Sequence, residues 1–121
     1  MIGIVGIHHV QLACPPGSED VSRGFYVDAL GLREVPKPPA LVVRGGVWFR
    51  GSGVELHLGV EADFRPARKA HPGLVVEGLH GLAERLGVQG IEVVWDDAIP
   101  GLQRGYVDDP HGNRILEPLP A

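Results

Sequence analysis

A histidine early and a glutamate late recur at one spacing in this chain. His9 and Glu55 lie 46 positions apart, and so do His71 and Glu117. Each of the four sits in or beside an apolar run: HHVQLAC (8–14), VELHLGV (54–60), HPGLVVEG (71–78) and DPHGNRILEP (109–118). The halves also echo locally, since Leu30-Gly31-Leu32 and Leu86-Gly87-Val88 each close a helical stretch. A chain that repeats a supersecondary unit folds as two copies of it, so the repeat constrains the fold before any single motif does. Two such halves set face to face could offer two imidazoles and two carboxylates to one metal ion.

The elements fit that division. Residues 4–14 predict a strand rich in Ile and Val, broken by Pro15-Pro16-Gly17. Ser18 is placed to cap a helix, with Glu19 and Asp20 in its first turn, Val21 and Phe25 on its apolar face and a stop at Gly31. Residues 32–36 predict a short strand. Residues 40–50 and 53–60 predict a hairpin turning at Gly51-Ser52-Gly53. Residues 61–70 (EADFRPARKA) read as a polar linker. A second half follows: strand 71–76, helix 79–86, then strands 91–95, 102–108 and 113–118. The predicted fold is α+β, two tandem βαβββ modules (about 4–60 and 71–118) in one domain. They form a curved mixed sheet whose open face is a cup and whose helices cover the outer face.

Composition removes several function classes. The 121 residues are 44% hydrophobic and 21% charged, the balance of a globular domain. A net charge of −4 with scattered Arg and Lys argues against a nucleic-acid partner. No run approaches the roughly 20 apolar residues of a membrane helix. The apolar start, MIGIVGI, lacks the basic residues of a signal peptide. The single cysteine, Cys14, cannot form an internal disulfide and is expected as a plain buried thiol, which suits the cytoplasm.

The stretches IHHVQLAC, FYVDALGLREV, VELHLGV, HPGLVVEGL and RGYVDDPHGNRI together resemble the vicinal oxygen chelate superfamily. This is the group of glyoxalases, bleomycin-resistance proteins and extradiol dioxygenases. The resemblance spans essentially the whole chain. It implies paired βαβββ modules around a cup, a divalent metal there in most enzyme members, and a homodimer. In the family the ligands come from the first and last strand of each module. Carried over, they are His9, Glu55, His71 and a fourth at the Glu of a G-N-R-I-E pattern. Here that position is Leu116, and Glu117 comes one residue late.

Strand alternation sharpens these assignments. His9, Gln11 and Ala13 are expected on the cup face, with Val10 and Leu12 on the core face and His8 turned away from His9. Glu55 shares a face with His57, opposite Val54, Leu56 and Leu58. A slip of one residue would send Glu117 to the wrong face, and only a β-bulge before it would restore its direction. His57, Trp48, Tyr106, Arg104, Arg44 and Arg50 are candidates to line the cup. His80 and His111 are expected to be a surface and a turn residue.

Two imidazoles and one or two carboxylates suit Zn, Fe, Mn or Ni and leave positions open for substrate. The implied function is therefore a metal-dependent enzyme acting on a small, oxygen-rich molecule. It would chelate two neighbouring oxygens and use Lewis-acid catalysis, with Glu55 as base, in lyase, isomerase or dioxygenase chemistry. The alternative is a metal-free binder of a small molecule or antibiotic, as in bleomycin resistance. Leu116 and the walls offered by Trp48 and Trp95 favour that alternative.

Overall fold

The computed structural model describes residues 1–116 and 119–120. In chain order they form β1 (Val10–Cys14), α1 (Glu19–Arg23, continued by a π-helical segment Gly24–Ala29) and β2 (Arg33–Val35). Then come α2 (Pro39–Val42), β3 (Val47–Gly51), β4 (Val54–Val60), β5 (Val75–Val76) and α3 (Leu79–Val88). The last four are β6 (Val94–Asp96), β7 (Arg104–Asp108), β8 (Arg114–Leu116) and β9 (Leu119–Pro120). The fold is α+β with a curved mixed sheet, as expected. The first half pairs in the order β1-β4-β3-β2, with β1 and β4 parallel. The second half repeats the plan in two pieces, β6-β7-β8 and β5-β9. Among the described residues no helix is long and apolar enough to cross a membrane.

Alternation works as the sequence implies. Leu12 and Cys14 on β1, Val47 and Phe49 on β3, and Leu56 and Leu58 on β4 are buried on one face. Phe25, Tyr26 and Ala29 press down on them, with Tyr26 stacked on Phe49 at 5.1 Å between ring centroids. Leu86, Val107 and Ile115 of the second half join the same cluster. Each such side chain contributes about 1.5–3 kcal/mol by leaving water. Burial also pushes the Cys14 thiol above its ordinary pKa, which fits an inert thiol.

A polar clasp joins the halves. The Asp109 carboxylate, almost fully buried, accepts from the Tyr26 hydroxyl (2.7 Å), the amides of His111 and Asn113 (2.9 Å each) and the Asn113 side chain (3.0 Å). Asn113 also donates to the Ala13 carbonyl at 2.8 Å and accepts from the Ala67 amide at 2.9 Å. One buried turn thus holds β1, the helix after it and the 61–70 linker together. His111 belongs to the clasp as well, since its Nε2 meets the buried Ser22 hydroxyl at 2.8 Å. Ser22 donates its own proton to the Ser18 carbonyl, so the imidazole is the donor.

Several predicted elements change. The strand expected over 4–14 is only Val10–Cys14, because β4 turns back at Ser52-Gly53 and offers residues 1–7 no partner. Ser18 holds the cap position, yet its hydroxyl donates to the Pro15 carbonyl (2.6 Å) and caps nothing. Val21 faces solvent and Ser22 takes the buried place. The strand expected over 40–50 begins with α2, carried in by Pro38-Pro39, and becomes strand only after Gly45 and Gly46. Gly46 has φ +85°, and a Cβ there would lie 2.1 Å from the Leu58 carbonyl oxygen, so only glycine lets the chain pass β4 so closely. The strand expected over 71–76 keeps two residues, because Pro72 has no amide to donate and Gly73 favours no strand. The strands expected over 91–95 and 102–108 likewise shorten or shift to β6 and β7, and the one expected over 113–118 begins at Arg114, with 117 and 118 outside the described residues. The helix expected over 79–86 runs two residues further, to Val88.

Candidate functional site

The hairpin register of β3 and β4 builds the first group. It sets Arg50 opposite Glu55 and Trp48 opposite His57, so opposite charges and flat rings meet as cross-strand pairs. Arg50 Nε donates to Glu55 Oε1 at 2.7 Å, and His57 Nε2 donates to Glu55 Oε2 at 2.8 Å. The His57 ring lies flat on Trp48 (3.7 Å, 2°) and on its other face carries His9 (4.1 Å, 16°). His9 precedes β1 directly, and the β1–β4 register brings it alongside Glu55. His8 and His9 share a hydrogen bond between their Nδ1 atoms at 2.9 Å, so the two rings meet and do not point to opposite sides. A cleft of about 530 Å³ opens here, lined by His8, His9, Arg50 and Glu55 and closed by Pro72 and Leu74.

Electrostatics fix the charge states. The hydrogen bond from His57 and then that from Arg50 bring the Glu55 carboxyl down to about 2. Burial pushes His57 below its ordinary value, against the opposing pull of Glu55. Glu55 is therefore an anion and His57 a neutral donor near neutral pH. A carboxylate held so low is a strong acceptor and a poor base.

The second group lies on the other half. His71 donates from Nδ1 to the Lys69 carbonyl at 2.8 Å, and its ring lies T-shaped against that of Tyr106, 5.8 Å between centroids. Tyr106 and Arg104 both donate to Asp96 Oδ2 at 3.0 Å. The Arg114 guanidinium stands 4.4 Å over the Tyr106 ring, beside a cleft of about 690 Å³. Asp96 and Arg114 escaped the sequence reading, because nothing local marks a strand-end aspartate or the arginine of the GNR motif as partners of Tyr106.

Of the predicted residues, His9, Glu55, His57 and Trp48 meet one another, and His71, Tyr106 and Arg104 form a second set, with Pro72 beside His71 lining the cleft of the first. Glu117 lies outside the described residues. β8 carries a one-residue bulge before that position: Asp108 pairs with Arg114 but Val107 with Leu116, so Ile115 is the extra residue. The donors are chemically suited to a divalent ion. Both Glu55 oxygens are engaged here, one by Arg50 and the other by His57. Among the described residues no group of three or more His, Cys, Asp or Glu is arranged to hold a metal. Arg44 and His80 join neither group.

Solved structures give the kinship. The chain is 46% identical to a glyoxalase family protein from Bacillus anthracis, with a TM-score of 0.94 over 99% of this chain and 98% of that one. The fold is shared with the genomically encoded fosfomycin resistance protein FosX from Listeria monocytogenes (14% identity, TM-score 0.77, 98% and 95% covered). It is shared too with a glyoxalase/dioxygenase from Nostoc punctiforme (20% identity, TM-score 0.71, 100% and 99% covered). No protein-family model matches the chain, and no curated protein does.

Proposed function

The chain belongs to the glyoxalase family of the vicinal oxygen chelate superfamily, and on that footing we propose that it binds a small, oxygen-rich organic molecule in the cleft of His9, Arg50 and Glu55. The observation that carries this is the chain of hydrogen bonds from Arg50 through Glu55 to His57, fixed by strand register and opening on that cleft. Arg50 meets Glu55 through Nε, and its guanidinium has further N–H groups for ligand oxygens. A ligand anion that draws Arg50 away removes one of the two donors holding Glu55. The carboxylate then gains proton affinity and can take a proton from the bound molecule. Binding and activation of the base are thus coupled through one arginine.

A second reading, the metal-dependent enzyme with His9, Glu55, His71 and Glu117 as ligands, has two specific supports. The bulge at Ile115 is the feature that set requires, and the hydrogen bond from His71 Nδ1 to the Lys69 carbonyl orients the ring as such contacts orient ligating histidines. It needs the two groups brought together, for which a second chain of the expected homodimer is the natural source.

One measurement separates the two. Untagged protein is titrated with 2-hydroxy acids, 2-oxo acids, 1,2-diols and catechols while melting temperature and tryptophan fluorescence (with Trp95→Phe isolating Trp48) are followed, with and without EDTA. The cleft reading expects a saturable response that survives EDTA and is lost in Arg50→Ala. A response that needs added Zn, Mn, Fe or Ni and disappears in His71→Ala selects the metal enzyme. If no compound acts on the wild type, or Arg50→Ala responds equally, the cleft reading is wrong.

A further inference from the structure

Arg114 carries a charge that no neighbouring group answers. It follows Asn113 of the buried clasp, and its amide donates to the Ala67 carbonyl at 2.8 Å. Its guanidinium lies over the Tyr106 ring, 4.4 Å from the centroid. Among the described residues its buried Nε has no hydrogen-bond partner, and no carboxylate pairs with it. Arg23, Arg50 and Arg104, by contrast, each meet a carboxylate at 3.0 Å or less. Buried polar groups are as a rule hydrogen-bonded and buried charges paired, so a guanidinium fixed by backbone and ring but without an acceptor lacks its partner. Arg68 stands next to Ala67, so the same backbone hydrogen bond brings a second guanidinium to this place. It too forms no ion pair with a described residue. Two like charges set side by side repel, and an anion held by both reverses the sign of that interaction.

Both arginines line the cleft of about 690 Å³ that α1, β6 and β7 bound. It shares no residue with the cleft of His9, Arg50 and Glu55. Val21, Phe25, Ile91 and Val94 give it an apolar wall, and Val21 and Val94 are 57% exposed there. Glu92 and Asp108 line it as well, exposed to solvent and paired with neither arginine. The Asp109 carboxylate is already engaged by its four donors and does not compete for the arginines.

We propose that this cleft is a second ligand site, which takes a monocarboxylate with an apolar body. The planar fork of a guanidinium matches the two oxygens of a carboxylate, and the Tyr106 face beneath Arg114 holds that fork in place. The apolar body of the ligand covers Val21, Phe25 and Ile91, which removes their surface from water. Glu92 and Asp108 set the limit on charge, because a polyanion placed against the arginines meets both carboxylates. The inference goes beyond the ligand reading of the first cleft and stands without it, since the two clefts have no side chain in common.

The test is isothermal titration calorimetry of the full chain with 3-phenylpropionate and 4-methylpentanoate, beside the neutral amides of the two acids and inorganic pyrophosphate. The carboxylates are expected to bind saturably and the amides and pyrophosphate not to bind. Arg114→Gln should weaken binding at least about tenfold, and the exposed Arg68→Gln about threefold. In methyl NMR of the wild type, the Val21, Ile91 and Val94 signals should move with the calorimetric midpoint, while those of Val54 and Leu74 beside the first cleft stay in place. Arg68→Gln and the wild-type signals decide the matter even where Arg114→Gln unfolds. Failure of both carboxylates to bind overturns the proposal, and so does equal binding of the amides or of pyrophosphate. Undiminished binding in both arginine variants overturns it too. Loss of binding in Arg50→Gln, with the Val54 and Leu74 signals moving instead, places the carboxylate in the first cleft and likewise overturns it.

Discussion

Asp109→Ala is expected to lower the melting temperature by about 10–20 °C, which corresponds to roughly 3–5 kcal/mol at this chain length. The carboxylate is almost fully buried and accepts four hydrogen bonds, from the Tyr26 hydroxyl, two backbone amides and the Asn113 side chain. Alanine removes every acceptor and leaves all four donors in a site that water cannot easily reach, and each such donor costs about 1–3 kcal/mol before relaxation. Tyr26→Phe removes one donor and leaves an acceptor with three bonds, so it should cost only about 1–1.5 kcal/mol. A thermodynamic cycle on Tyr26→Phe and Asp109→Asn, followed by thermal circular dichroism, should show coupling of at least about 0.5 kcal/mol. Loss of less than about 1 kcal/mol in Asp109→Ala would mean that the turn does not join the halves in solution.

That clasp marks the boundary of what was legible. The residues 109–113 announce a tight turn, and the turn is there, with Gly112 at φ +89°. Their partners Ala13, Tyr26 and Ala67 are distant in sequence, and no local pattern names them. Core faces were legible because alternation is local: Leu12, Leu56 and Leu58 fall inside, and Glu55 and His57 share the other side. Ladder ends were not, since the length of β1 depends on where β4 turns. The helix face slipped by one residue between Val21 and Ser22, because the burial of Ser22 depends on His111 far along the chain. The same limit governed the end of the chain. Sequence showed that Glu117 needed a bulge, and only pairing with β7 reveals one at Ile115. The site residues were found with their neighbours half known, for Trp48 and His57 were candidates but their stack with His9 depends on two registers.

Glu55 is expected to titrate at about 2 in the native chain, followed by carboxyl carbon NMR, and to return toward its ordinary 4.5 when both of its donors are removed. That change exceeds about a hundredfold in proton affinity. The larger cause is the hydrogen bond from His57 and the next is that from Arg50, so His57→Phe should raise the midpoint more than Arg50→Gln. Phenylalanine keeps a flat ring between Trp48 and His9, which separates the lost hydrogen bond from lost packing. The sign of the pH dependence follows. Glu55 has a folded pKa below its unfolded one, so its contribution to stability is complete above about 4.5 and is lost as pH falls toward 2. His57 is also lowered, here by burial, so the unfolded chain takes up its proton first and stability falls as pH drops below 6.5. Both groups therefore favour the folded state on the alkaline side, and His57→Phe should flatten the upper part of the acid limb and, by raising the Glu55 midpoint, weaken the lower part too, whereas Arg50→Gln should weaken the lower part alone. A native Glu55 midpoint near 4.5 would show that Arg50 and His57 do not hold it in solution. The coupling between ligand binding and proton transfer, which depends on those two donors setting the proton affinity of Glu55, would then fall.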